Sequence, residues 1–394
     1  MVKNSKKPRL RFKGFTDEWE QRKVSDLAYR YDNLRLPITA KDRISGRTPY
    51  YGANGIQDYV QGFTHEGEFV LIAEDGANDI KNYPVQYVNG QIWVNNHAHV
   101  LQANENNITL FIKYLITSSN IASILVGGGR SKLNSDALMN FEISIPIKQE
   151  QQKIAKLFLN LDNLITLHQR KYDKLLNVKK ALLDKMFPKN QEKTPKIRFK
   201  GFFDAWEQRK LGEVAPLRGG YAFKSADYCD EGVPIIRISN ILADGTIGTD
   251  FVYYKEQQFD NEYLLENGAV LLAMSGATTG KVSILNTQNK AKYYQNQRVG
   301  YFPKNKNIDY RYIATILRSQ QFINQLTSVL VAGAQPNVSS KDIDNFEFMI
   351  SREKEEQTKI GNFFYNLDNL IALHQRECEK LKNIKKALLD KMFV

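Results

Sequence analysis

The sequence predicts a mixed α/β (α+β) protein. Two strand-rich α/β domains are joined by two long antiparallel helices, arranged as a pseudo-two-fold tandem repeat. Three observations carry that expectation. Residues 8–28 (PRLRFKGFTDEWEQRKVSDLA) return at 195–215 (PKIRFKGFFDAWEQRKLGEVA) with 13 of 21 positions identical, at an offset of 187. Residues 149–187 return at 355–393 with 27 of 39 positions identical, at an offset of 206. The blocks between these ends, near 29–148 and 216–354, share little sequence, yet both are cut into short apolar runs by Gly, Asn and Asp. A period of half the chain is a tandem duplication and not a short-period solenoid.

In chain order, residues 1–148 hold a basic arm and a first domain. Its stretches FVLIAEDG (69–76) and QIWVNNHAHVLQ (91–102) read as strands, a helix-like segment follows near Leu110–Ile124, and the loop GGGRSKL leads to a closing strand, FEISIP. Residues 149–187 have neither Pro nor Gly and read as one long helix. One apolar row runs by sevens through Ile154, Leu161, His168, Leu175 and Leu182. In the second long helix, 355–394, the same row is Ile360, Leu367, His374, Leu381 and Leu388. Flanking rows (Leu157, Leu164 and Val178; Phe158, Ile165, Tyr172 and Met186) make the stripe wide enough to be buried, while Lys and Arg fill the opposite face. Each helix must bury its stripe and the duplication supplies a matching partner, so an antiparallel, coiled-coil-like pair is expected. His168 and His374, central in their rows, should then face each other near the symmetry axis. Residues 188–206 are a polar, Pro-bounded linker that restarts the repeat. Residues 207–354 form the second domain, with strands in VPIIRISNI (233–241) and AVLLAMSGATTGKVSIL (269–285), a helix near Tyr310–Leu330, the loop AGAQPNV and a last strand, FEFMIS.

The composition, 42% hydrophobic and 25% charged, supplies ordinary cores and excludes disordered, collagenous and coiled-coil-only chains. The longest apolar run, Ala269–Met274, falls far short of the ~20 residues of a membrane span. The opening MVKNSKKPRLRFK has no apolar stretch of the kind a secretory signal needs. Cys229 and Cys378 lie far apart without a CxxC partner, which leaves no disulfide framework and no cysteine-rich zinc site. The expectation is a soluble, cytoplasmic chain with no membrane partner. The net charge of +12 is uneven: +5 over 1–30 and +9 over 148–200, against −3 over 31–147, −1 over 201–350 and +2 over 351–394. A basic excess points first to nucleic acid, through phosphate neutralisation. A solvated lysine-rich helix face is the plainer alternative.

Catalytic motifs fail on inspection. SGATTGKV (275–282) resembles a phosphate loop, but its glycines are one residue too close and Val282 stands where Ser or Thr should hold magnesium. His97 and His99 would share one face of a strand, as metal ligands can, but no third ligand stands at a recognisable spacing. No metal site is expected. The acidic pair Glu353 and Glu355 only weakly resembles a nuclease motif, and no Asn/Asp-Pro-Pro-Tyr/Phe methyltransferase signature occurs. The chain does not read as an enzyme. Instead the domains carry polar readout chemistry beside aromatics. The first offers Tyr50, Tyr51, Asn54, Asn95, Asn96, Arg130 and Lys132. The second offers Arg237, Ser239, Asn240, Ser275, Thr278, Thr279, Gln295, Asn296, Gln297 and Arg298. Arg can read guanine, and Asn or Gln adenine, by paired hydrogen bonds in the major groove. Each such residue alone can equally be a turn former, but clusters on glycine-rich loops of duplicated domains favour the binding reading.

With these features together, the chain resembles the specificity (S) subunit of type I restriction–modification systems over nearly its whole length. The resemblance rests on two unlike blocks that each end in an NFExxI-like strand (Asn140–Ile145, Asn345–Ile350). Each strand runs into an EQ-containing long helix (Glu150–Gln151, Glu356–Gln357). The segments YYGANGIQDYV, AEDGAN, WVNNHAHVL, AMSGATTGK and YYQNQRVGYF are of the kind found in that family's target-recognition domains. The resemblance implies that each block reads one half of a split double-stranded DNA site, while the helices set the spacing and hold two modification (methyltransferase) subunits. The same resemblance implies restriction subunits as further partners. The resemblance assigns S-adenosylmethionine, ATP and magnesium chemistry to those partners, so this chain is expected to need no cofactor. Two other classes stay open from the residues alone: a nuclease or methyltransferase with an unrecognised site, and a scaffold that assembles through its helices.

Overall fold

The computed structural model describes residues 7–127, 131–189, 192–257, 260–286, 292–332 and 337–394. The chain divides into two compact units, residues 1–167 with 377–394 and residues 168–376. The long helices run over Lys148–Lys185 and Lys354–Met392, so each gives one half to each unit.

In the first unit a six-stranded sheet has the order Ala28–Arg30, Ala98–Ala103, His65–Ala73, Val85–Val94, Ser45–Gly52, Gly55–Val60. The neighbours are antiparallel except for one parallel pair, in which Tyr51 lies opposite Val94. Successive side chains of a strand face opposite ways, which explains the unbroken apolar run in His65–Ala73. Val70 and Ile72 enter the core under the helix Thr109–Ser118, and Phe69 and Leu71 enter a second cluster with Val88, Val94 and Val100. In the second unit the corresponding strand is Val270–Ala273. Its Val270 and Leu272 join one cluster and its Leu271 and Ala273 another. Here the strands form two three-stranded sheets, Val252–Tyr254/Val233–Ile236/Tyr294–Gln295 and Val282–Ile284/Val270–Ala273/Val299–Phe302.

The repeated termini fold alike. Glu20–Lys23 pairs antiparallel with Glu142–Ile145, and Glu207–Lys210 with Glu347–Ile350. The turn before each pair keeps a glycine because its φ is positive, +99° at Gly14 and +97° at Gly201. The EQ dipeptides then fasten each helix start. Glu150 is fully buried and receives both Nε and Nη2 of Arg11, each at 2.7 Å. Glu356, equally buried, receives Arg198 at 2.6 and 2.9 Å, the Trp206 indole at 2.9 Å and the Ser351 hydroxyl at 2.5 Å. These carboxylates raise the pKa of Arg11 and Arg198 above the usual guanidinium range. The neighbouring amides, Gln151 and Gln357, accept from the backbone N–H of Ile108 and Asp309, the residues that open each domain helix.

Within each unit the helix halves run antiparallel. In the first, Asp162 meets Lys385 at 2.5 Å, and Ile154 and Leu161 share a core with Leu381 and Leu388. In the second, Asp368 meets Lys179 at 2.5 Å, and Ile360 and Leu367 share a core with Leu175 and Leu182. His168 and His374 face each other there, Nδ1 to Nδ1 at 3.1 Å. The stripe is narrower than its apolar content suggests: Leu164 (43% exposed) and Val178 (38% exposed) turn outward. A helix pair covers one side of each helix, and side chains about a sixth of a turn from the seam row can stay in solvent, as Leu164 and Val178 do.

Three sequence expectations are corrected by turns. The stretch 91–102 is two strands, because the Asn95 side chain accepts from the His97 N–H at 2.8 Å and closes an Asx turn. The stretch 233–241 is strand only to Ile236, where Asn240 bonds back to the Arg237 N–H. The segment 310–330 is two helices, Tyr310–Ile316 and Gln320–Ala332, the second opened by Ser319 accepting from the Phe322 N–H.

Candidate nucleic-acid interface

Strand order and turns bring the loops of each unit together on one rim. In the first unit three backbone bonds do this: Asn95 N–H to Tyr51 O at 3.1 Å, Glu74 N–H to His97 O at 2.8 Å, and Leu133 N–H to Glu74 O at 2.7 Å. They join the loops at 51–55, 74–78, 95–97 and 131–133. In the second unit the same three bonds recur: Asn296 N–H to Ile236 O at 3.1 Å, Met274 N–H to Arg298 O at 3.0 Å, and Val338 N–H to Met274 O at 3.0 Å. The parallel strand pair recurs too, Tyr51 beside Val94 and Ile236 beside Gln295. Two blocks with little common sequence therefore build one kind of rim. In it the tripeptide Asn95-Asn96-His97 corresponds to Asn296-Gln297-Arg298.

Ion pairs stiffen the first rim. Buried His99 bonds Asp32 through Nδ1 at 2.7 Å and the Leu133 carbonyl through Nε2 at 2.8 Å. Burial would raise the Asp32 pKa, but His99, the Val100 N–H and Arg35 outweigh it and hold the carboxyl below its ordinary range. Glu74 behaves likewise: burial is overcome by Arg35 at 2.7 Å and Lys132 at 3.1 Å. His97 lies outside the strand and bonds Asp75, whereas His99 bonds Asp32, so the two imidazoles do not form a joint metal site. Among the described residues no group of three or more His, Cys, Asp or Glu is placed to hold a metal ion. The segment 275–282 is a turn between two strands, not a strand-to-helix phosphate loop.

The candidate readers divide by how their polar atoms are used. Tyr50 is buried with its hydroxyl on the Ile38 backbone. Asn95 is buried and closes its turn, Asn240 holds the backbone at Arg237, Gly248 and Asp250, and Ser275 is buried. Gln295, fully buried, donates to Arg218 O and Val299 O and accepts from the Arg218 guanidinium. Thr278 and Thr279 bond the carbonyls of Ser275 and Gly276. Exposed Asn54 stitches its loop to Gly76 O and the Asn78 N–H. Tyr51, Asn296 and Arg237 are half-buried, and the Arg237 guanidinium reaches Asp250 O at 3.4 Å. Lys132 is exposed and paired with Glu74. Asn96, Ser239, Gln297 and Arg298 are exposed on the rims. Arg130 lies outside the described residues. Asp32, Glu74 and the Arg–Glu clasps at Glu150 and Glu356 escaped the sequence reading, although the last were marked by the recurrence of RFKGF and EQ.

Two domains of dissimilar sequence thus share one loop scaffold within a duplicated chain. Residues 16–177 and 204–383 match the type I restriction modification DNA specificity domain, twice in one chain. The chain belongs to that family, in which this subunit carries specificity and catalysis lies in other subunits. Relatives agree. The chain is 31% identical over 297 residues, 74% of each chain, to a Haemophilus influenzae protein assigned as a type I restriction enzyme specificity subunit. It is 24% identical over 399 residues, 95% of this chain and 92% of the other, to the MjaVIII specificity subunit of Methanocaldococcus jannaschii. The fold is that of the S subunit from M. genitalium, with a TM-score of 0.70, 16% identity, and coverage of 98% and 99%.

Proposed function

We propose that each unit reads one half of a bipartite double-stranded DNA target in the major groove through its rim. The carrying observation is the recurrence of three backbone bonds that fix four loops alike in two domains of dissimilar sequence. Common scaffolds with different loop residues suit two different half-sites. Asn96, Lys132, Arg237, Ser239, Gln297 and Arg298 are the side chains best suited to meet DNA, while Asn54 and the buried members of the candidate set hold the loops.

The long helices act as ruler and dock. Helices of 38 and 39 residues each extend roughly 57 Å, suited to half-site centres about one turn, roughly 10 base pairs, apart. The rows left in solvent support docking of two like modification subunits, because the exposed pairs Leu164/Leu370 and Leu167/Leu373 are identical at equivalent positions. Restriction subunits would join the same assembly, and its place is the cytoplasm. No described helix is long and apolar enough to cross a membrane.

The test is methylome sequencing of the host with and without this chain. The expected result is one adenine-methylated motif of two short half-sites flanking an unread spacer, lost on deletion. A continuous motif, or methylation that persists after deletion, overturns the reading.

A further inference from the structure

The tips of the two rims carry the same functional group. Asn96 and Gln297 are each the middle residue of a three-residue loop fixed by equivalent bonds, to Tyr51 O and Glu74 N–H in one unit and to Ile236 O and Met274 N–H in the other. Both tips are exposed. Three other carboxamides of the rims, Asn95, Gln295 and Asn54, are bonded within the protein, and Asn296 is half-buried. Asn95 is turned inward onto the His97 N–H, Gln295 is buried on Arg218 and Val299, and Asn54 is spent on Gly76 and Asn78. Among the described residues neither tip carboxamide has a side-chain bond that fixes it within the protein. A carboxamide offers one acceptor and two donors in a plane, which matches the N6 amino group and N7 of adenine on the major-groove edge.

We propose that Asn96 and Gln297 are paired adenine readers, one per half-site, each bonding N6 and N7 of an adenine that stays stacked. This rests on the proposal that the rims read DNA. The read adenine differs from any base a modification subunit extrudes, since an extruded base leaves the groove. The two domains then share a reading position as well as a scaffold, and the residues around each tip set the rest of the half-site.

The experiment expresses the full restriction–modification complex with Asn96→Ala or Gln297→Ala and sequences its methylome. N96A should relax one A·T position in one half-site and Q297A one A·T position in the other, each with roughly tenfold or greater loss of discrimination. Carboxylate variants supply a gain of preference. N96D and Q297E accept without donating, so each should shift its position toward cytosine, whose N4 amino group donates. Where an alanine variant abolishes methylation, the carboxylate variant decides, and adenine retained at that position overturns the proposal. An unchanged motif, relaxation at a G·C position, or changes in both half-sites from one substitution also overturn it. If methylation does not depend on this chain at all, the underlying reading fails instead, which the deletion strain reports separately.

Discussion

The Arg–Glu clasps are where single side chains matter most for folding. Glu150 has no exposed surface, and removing it leaves the Arg11 guanidinium partly buried without its carboxylate. Glu150→Ala is expected to cost about 3 kcal/mol, within the range for breaking a buried ion pair. Glu356→Ala should cost more, because Trp206 and Ser351 lose their acceptor as well. Hydrogen exchange at core amides such as Val70 and Leu271 checks both, unit by unit, and equal protection in variant and parent would refute the clasp. Histidines set the pH response. Burial lowers the pKa of His65. Burial, then His168, then Lys171, lower that of His374. The unfolded chain therefore takes up protons near pH 6.5 while the folded one still resists, so stability should fall as pH drops below about 6.5 and level off once the folded groups protonate. A melting temperature flat from pH 7 to 5 would contradict this, and H374Q should remove part of the slope.

The helices and rims show what a sequence of this kind reveals. Two long helices were legible because their apolar rows repeat by sevens and the duplication prints them twice. Their outer rows were not, because apolar content alone cannot distinguish a side chain in the seam from Leu164 or Val178, which face outward. The rims were half legible: glycine and asparagine clusters mark loops, but which amide points inward depends on local bonds such as Asn95 onto His97. The equivalence of Asn96 and Gln297 is written in strand order, which the dissimilar blocks conceal. At this scale the ruler is testable. Inserting four helical residues, about 6 Å, at the same position of both long helices should lengthen the unread spacer by one or two base pairs and leave both half-sites intact. A methylated motif with an unaltered spacer would show that the helices do not set it.

For the whole molecule, charge and modularity decide behaviour. The two variable blocks are close to neutral, so their own phosphate term is small, while the arm, the central stretch and the partner subunits would supply basic surface. Binding by the isolated chain should be weak and salt-sensitive, and much tighter in complex with modification subunits. Nanomolar specific binding by the lone chain at physiological salt would contradict that. Under the proposed function each unit specifies its own half-site independently, and exchanging one block checks that. Residues 216–350 would be replaced by the corresponding block of a family member with a different target, and the methylome of a strain carrying the chimera sequenced. The account predicts that one half of the bipartite motif changes while the other half and the spacer stay as they were. A motif changed in both halves would contradict it.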